Sequence, residues 1–139
     1  MVAAHQQITQ DWWRHARSRF ELFVSVVVIN EARLGAPEAA SRRLAFIEGL
    51  PILDWNAEIK ALVGIYDNRL ALPRRARADV LHIAFAVGYH MDYLLTWNCA
   101  HIANGELVRR LLDINNEIDR ATPIILTPEE LLGETGEDK

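Results

Sequence analysis

The run Ala78 to Asn104, ADVLHIAFAVGYHMDYLLTWNCAHIAN, constrains the fold of this chain more than any other stretch. It reads as a buried helix, a tight join, a short buried strand and then a polar loop. Val80, Leu81, Ile83, Ala84, Phe85, Val87 and Met91 make the helix apolar on nearly all sides, the pattern of a helix inside a core. Asp79, His82, Ala86 and His90 are three or four apart and share one narrow stripe. Asp79 falls at the helix start, where the dipole favours a carboxylate; on spacing alone it is first of all a helix-start residue. Thr96, Trp97, Asn98 and His101 follow the strand. Open parallel α/β sheets gather ligands at the carboxyl ends of their strands. One carboxylate and one polar loop are therefore expected at the same rim.

With 139 residues, the chain suits one domain with a real core. The formal net charge of −4 gives no global attraction to nucleic acid or to a membrane. The single cysteine, Cys99, rules out an internal disulfide and fits a reducing compartment. No stretch approaches the roughly 20 apolar residues that span a bilayer. The start, MVAAHQQITQDWW, lacks the basic and apolar regions of a signal peptide. These features predict a cytoplasmic protein.

Taken in order, Ala4, Ile8, Trp12, Ala16 and Phe20 mark an amphipathic helix over 4–20, with Arg14, Arg17 and Arg19 on a solvated face. Leu22–Val28 is rich in β-branched residues and is predicted as a strand. A short helix around Asn30–Leu34 follows, stopped by Gly35 and Pro37, and it carries Glu31, first of all an ordinary surface glutamate and alternatively a group sharing the rim with Asp79. The next helix spans Pro37–Glu48, then a strand Leu50–Leu53. Asp54 or Asn56 caps a helix that runs to about Leu70, with Ile59, Leu62, Val63 and Tyr66 inward. Arg74, Arg75 and Arg77 lie in a connection broken by Pro73. A solvated loop is the simpler reading of these arginines, and contact with a phosphate backbone the alternative. Beyond the strand Tyr93–Thr96, a helix is predicted from about Asn104 to Asp119 on a Leu107, Leu111, Ile114, Ile118 stripe. A last strand spans Pro123–Leu126, and Thr127-Pro128-Glu129-Glu130 opens a final helix. Strands alternating with helices argue for an α/β fold with a parallel sheet.

The sequence has no phosphate-cradling glycine motif and no clustered Cys/His zinc pattern. Cys99 and His101 are two apart in a loop, which suits an inert packed cysteine better than a thiol nucleophile. His82 and His90 read as partly buried helix histidines. What remains is oxygen chemistry: Glu31 and Asp79, with the Asn98 amide, suit a hard divalent cation such as Mg²⁺.

The central run, with SVVVINEARLG before it and PIILTPEELLGE after it, resembles a PIN domain. The resemblance covers nearly the whole chain and lies nearest to the bacterial PIN-domain proteins grouped with VapC-like toxins of type II toxin–antitoxin systems. It implies an α/β, PIN-like three-layer fold with a parallel sheet flanked by helices. It also implies Mg²⁺- or Mn²⁺-dependent cleavage of RNA, a cognate antitoxin as partner, and homodimers. The family's second acid falls on Glu31 and its third on Asp79. The position after the fourth strand, often acidic, falls on Asn98, whose amide offers an oxygen without a charge. Arg74, Arg75, Arg77 and His101 are the candidate RNA contacts.

Family members begin with a central strand carrying an Asp or Glu, and this sequence starts at the point that follows it. The resemblance therefore implies a single domain over 1–133 that lacks its first strand and first acid, with a frayed tail over 134–139. Strands left facing such a gap are expected to pair directly or to leave backbone groups unpaired. A chain of that kind is expected to be poorly stable or self-associating, and more stable when extended upstream. Two functions stand open: a metal-dependent ribonuclease of toxin type, and a non-catalytic PIN remnant that acts only by binding another protein.

Overall fold

A two-residue strand, β1 (Val24–Ser25), runs straight into a helix, α1 (Val26–Ala32). The predicted strand over Leu22–Val28 is thus corrected: its second half is helical. Three β-branched residues in a row carry a modest helix penalty, a few tenths of a kcal/mol each. Ser25 offsets it, because its side-chain oxygen accepts a hydrogen bond from the Val28 N–H at 3.2 Å and caps the first turn. The computed structural model describes residues 19–95 and 105–126. The predicted helix over 4–20, apart from its last two residues, the loop residues Thr96 to Ala103, and the final helix lie outside them.

The chain divides into two compact units, one spanning Leu22–Tyr89 and the other built from the segments on either side of it. In the first unit α1 ends at a turn through Gly35, whose φ of +88° belongs to the left-handed region that glycine adopts without cost. The Arg43 side chain donates to the carbonyls of Ala32 and Leu34, satisfying the end of α1. Arg43 itself lies on α2 (Pro37–Ile47), which opens with proline at its first position, where no N–H is needed. The strand β2 (Ile52–Leu53) pairs parallel with β1, Val24 opposite Ile52 and Ser25 opposite Leu53. α1 and α2 together form the crossover that a parallel pair requires.

Asn56, not Asp54, caps α3 (Ala57–Leu70), its Oδ1 accepting from the Ile59 N–H at 2.8 Å. Asp54 instead accepts from the adjacent Trp55 N–H. A single 3-10 turn, Arg74–Ala76, then leads directly into α4 (Arg77–Gly88). As the sequence implies, α4 is buried on most sides, with Val80, Ile83, Ala84, Phe85 and Val87 all nearly inaccessible. Its core partner is α3, through Ile59, Leu62, Val63 and Tyr66. The helix stops earlier than the stripe predicts: Tyr89 ends it, and His90 has a φ of +60° and is exposed. His90 is therefore not a helix histidine.

The second unit repeats the arrangement. β3 (Tyr93–Leu95) pairs parallel with β4 (Ile124–Leu126), with α5 (Gly105–Glu117) as the crossover. Leu107, Leu111 and Ile114 form the buried stripe of α5, as predicted, whereas the fourth predicted member, Ile118, falls past the end of the helix and is half-buried. Asn115 is fully buried beside them, and its amide donates to Thr122 Oγ1 at 2.8 Å. Phe20 meets Tyr93 edge to face, with ring centroids 5.9 Å apart. The protein is thus mixed α/β with short parallel strands. Among the described residues the strands form two separate two-stranded sheets, not one four-stranded sheet.

Gly88 marks the tightest point between α3 and α4. A methyl group there would overlap Ile59 Cδ1 and touch Leu62 Cδ1, and Ile59 is itself fully buried. Gly64, on the exposed side of α3, meets nothing within 4 Å. Gly88→Ala is expected to destabilise by about 1–3 kcal/mol through overpacking. Gly64→Ala is expected to stabilise by about 0.5–1 kcal/mol through helix propensity alone. Urea unfolding of the two variants beside the parent checks both signs.

Candidate functional site

Glu31 lies in α1, near the end of the helix that springs from the carboxyl end of β1. Asp79 lies in the first turn of α4, as the sequence implies, and is only 5% exposed. Neighbouring groups engage it there, and its position suits the positive end of the helix dipole. His82, one turn further along α4, connects the two elements. Its Nε2 lies 3.1 Å from one Glu31 carboxylate oxygen and 3.2 Å from the other. A carboxylate only accepts hydrogen bonds, so Nε2 is the nitrogen that carries the proton in this contact. The His82 side chain is 17% exposed and that of Glu31 is 45% exposed. The histidine is therefore positioned by the packing of α4, whereas the glutamate reaches across from the surface of α1.

α1 packs on α4, Glu31 touches His82, and His82 shares the α4 stripe with Asp79 at a three-residue spacing. On sequence alone His82 is a partly buried helix histidine, as the structure shows, and its contact with Glu31 is the feature the sequence does not reveal. Its place on the Asp79 stripe was the signal that tied it to the site. Thr96, Trp97, Asn98 and His101, the polar loop of the predicted rim, lie outside the described residues. Among the described residues no three His, Cys, Asp or Glu side chains converge as a ready metal cage.

The basic connection before Asp79 divides in two. Arg77 forms an ion pair with Asp67 of α3, both side chains about half exposed, so its charge is partly neutralised. Arg74 and Arg75 stand exposed on the 3-10 turn.

Towards the other end of α4, Phe85 packs edge to face on Trp55 at 5.1 Å and stacks with Tyr89. The Tyr89 hydroxyl donates to the Asp54 carbonyl at 2.6 Å. These contacts fasten the β2–α3 connection to α4 and fix the helix that carries Asp79 and His82. No described helix is long and apolar enough to cross a membrane.

Glu31 and Asp79 carry hard oxygen donors and His82 one nitrogen. Comparison of the chain with protein-family models, with curated proteins and with solved structures returns no match.

The two acids differ in how their environments hold them, and this predicts different costs of removal. Asp79→Ala is expected to lower stability by about 1–3 kcal/mol, because it strips a buried group from its partners. Glu31→Ala is expected to cost less than about 1 kcal/mol, the ceiling for a solvent-facing pair. Denaturant unfolding of both variants separates them; equal costs would contradict the difference in burial.

Proposed function

We propose that the chain is a PIN-like, divalent-cation-dependent ribonuclease of the toxin type, with Glu31 and Asp79 as its acidic residues. The observation that carries this reading is the meeting of Glu31 with His82, one helical turn from Asp79. It supports the pairing of two acids that are 48 positions apart in sequence and that the PIN resemblance assigns to one site. The parallel strand pairs with helical crossovers support an α/β reading, and the PIN-like three-layer arrangement belongs to the proposal.

The donor set suits Mg²⁺ or Mn²⁺. Such ions are commonly held by one or two carboxylates, with water and substrate phosphate completing the shell. When bound, a cation of this kind lowers the pKa of water and neutralises charge on a phosphodiester. The chain's own residues supply the rest. Asp79 is fixed by burial and by the start of α4. Glu31 is free to adjust at the surface, and Asn98 is the proposed third oxygen donor. Arg74 and Arg75 are exposed cations just upstream of Asp79 and suit an RNA backbone, with Arg77 and His101 as secondary contacts. The partners under this reading are an RNA substrate and a cognate antitoxin, with a second copy of the chain as a further partner.

A second reading has its own observation. Both Glu31 oxygens already bond to His82, an arrangement that is complete without an ion. A protein that acts only by binding a partner would retain such a contact as a structural link.

The nuclease reading predicts that Asp79→Asn abolishes Mn²⁺-stimulated RNA cleavage while leaving the circular dichroism spectrum and melting curve close to those of the parent. The amide keeps the shape of the side chain and removes its charge. Equal cleavage by parent and variant would overturn the assignment of Asp79. Absence of cleavage by the parent across Mg²⁺ and Mn²⁺ would favour the binding-only reading.

A further inference from the structure

We propose that His82 is a latch on Glu31: it occupies the carboxylate edge that a divalent cation would take, so that the cation binds by displacing the imidazole. This inference rests on the reading of Glu31 and Asp79 as cation ligands, and it concerns how that site is controlled.

The geometry is specific. Nε2 is almost equidistant from the two Glu31 oxygens, at 3.1 and 3.2 Å. That is the position of a group shared by both oxygens, which is also where a carboxylate holds a cation bidentately. The imidazole N–H and the cation therefore compete for one edge. The two sides of the contact are also unequal in freedom. His82 belongs to the buried helix α4 and is 17% exposed, so its ring has little room to move. Glu31 is 45% exposed on α1, with solvent on its outer side. Release of the latch is thus a movement of the more exposed Glu31 carboxylate away from the ring. His82 is a positioning residue in this scheme: it keeps the Glu31 carboxylate ordered in the absence of an ion and yields it when one arrives.

The strength of the contact sets the size of the effect. A partly exposed carboxylate–histidine pair contributes about 1 kcal/mol or less. Removing the competitor is therefore expected to tighten cation binding by roughly two- to fivefold. That is large enough to measure and small enough for the cation to overcome.

The test uses the full chain and two readouts that do not depend on RNA cleavage. The first is calorimetric titration with Mn²⁺ of the parent, His82→Phe, which keeps a ring and removes the donor, Glu31→Gln and Asp79→Asn. The second is the imidazole NMR signals of His82 in the parent and in Glu31→Gln, titrated with Mg²⁺; it needs no substitution at His82. The latch predicts tighter Mn²⁺ binding by His82→Phe. It also predicts His82 ring signals that move with Mg²⁺ in the parent and stay still in Glu31→Gln. If Mn²⁺ binds the parent and is lost in Glu31→Gln and Asp79→Asn, while the His82 ring signals do not respond to Mg²⁺, the latch is overturned and the cation site stands. Unchanged or weaker binding by a folded His82→Phe overturns it in the same way. If neither the parent nor His82→Phe binds Mn²⁺, the cation-site reading and the latch both fall.

Discussion

The close packing of α4 against α3 is the constraint on which the candidate site depends. Gly88 lets Ile59 and Leu62 approach the α4 backbone, and the helix is thereby buried along most of its length. A helix enclosed in this way has little freedom to rotate or slide, because protein interiors are close-packed. Asp79 and His82 inherit that rigidity. The Tyr89 hydroxyl and the Trp55–Phe85 contact fasten the far end of the same helix to the β2–α3 connection. The aromatic cluster and Gly88 thus act on the site from a distance, by fixing the element that presents it.

Glu31 is held in a different way. Its helix is only seven residues long and starts on a serine cap, with the Arg43 side chain closing the other end. Short helices draw most of their stability from tertiary packing, and α1 buries only Val27 and Ala32. The site accordingly joins a rigid wall, α4, to a lighter element that carries an adjustable carboxylate. Such an asymmetry suits a site that must close around something, and the Glu31–His82 contact is the point where the two elements meet.

Much of this was legible in the residues. The buried character of α4 followed from its lack of a polar face, and the bounds of α2 and α3 from Pro37 and Asn56. The stripe of α5 followed from Leu107, Leu111 and Ile114. What was not legible depended on competition between local and longer-range effects. Val26 to Val28 have the composition of a strand, yet they are helical, with the Ser25 hydroxyl capping their first turn. His90 continues the α4 stripe in sequence, but the chain turns through a positive φ before reaching it. The pairing of strands into two sheets is a matter of long-range hydrogen bonding that alternation of elements does not encode. In the site, the two acids could be nominated by their places after a strand and at a helix start. The role of His82 depended on α1 packing against α4, a contact between residues 51 positions apart.

The central claim is that Glu31 and Asp79 belong to one cation-binding site on α1 and α4. Paramagnetic broadening tests it directly. Substoichiometric Mn²⁺ added to the ¹⁵N-labelled chain should broaden the amide signals of Glu31, Asp79 and His82 first, with the effect falling away along α4 towards Tyr89. Broadening centred elsewhere in the chain, or no selective broadening at any Mn²⁺ concentration, would contradict the account.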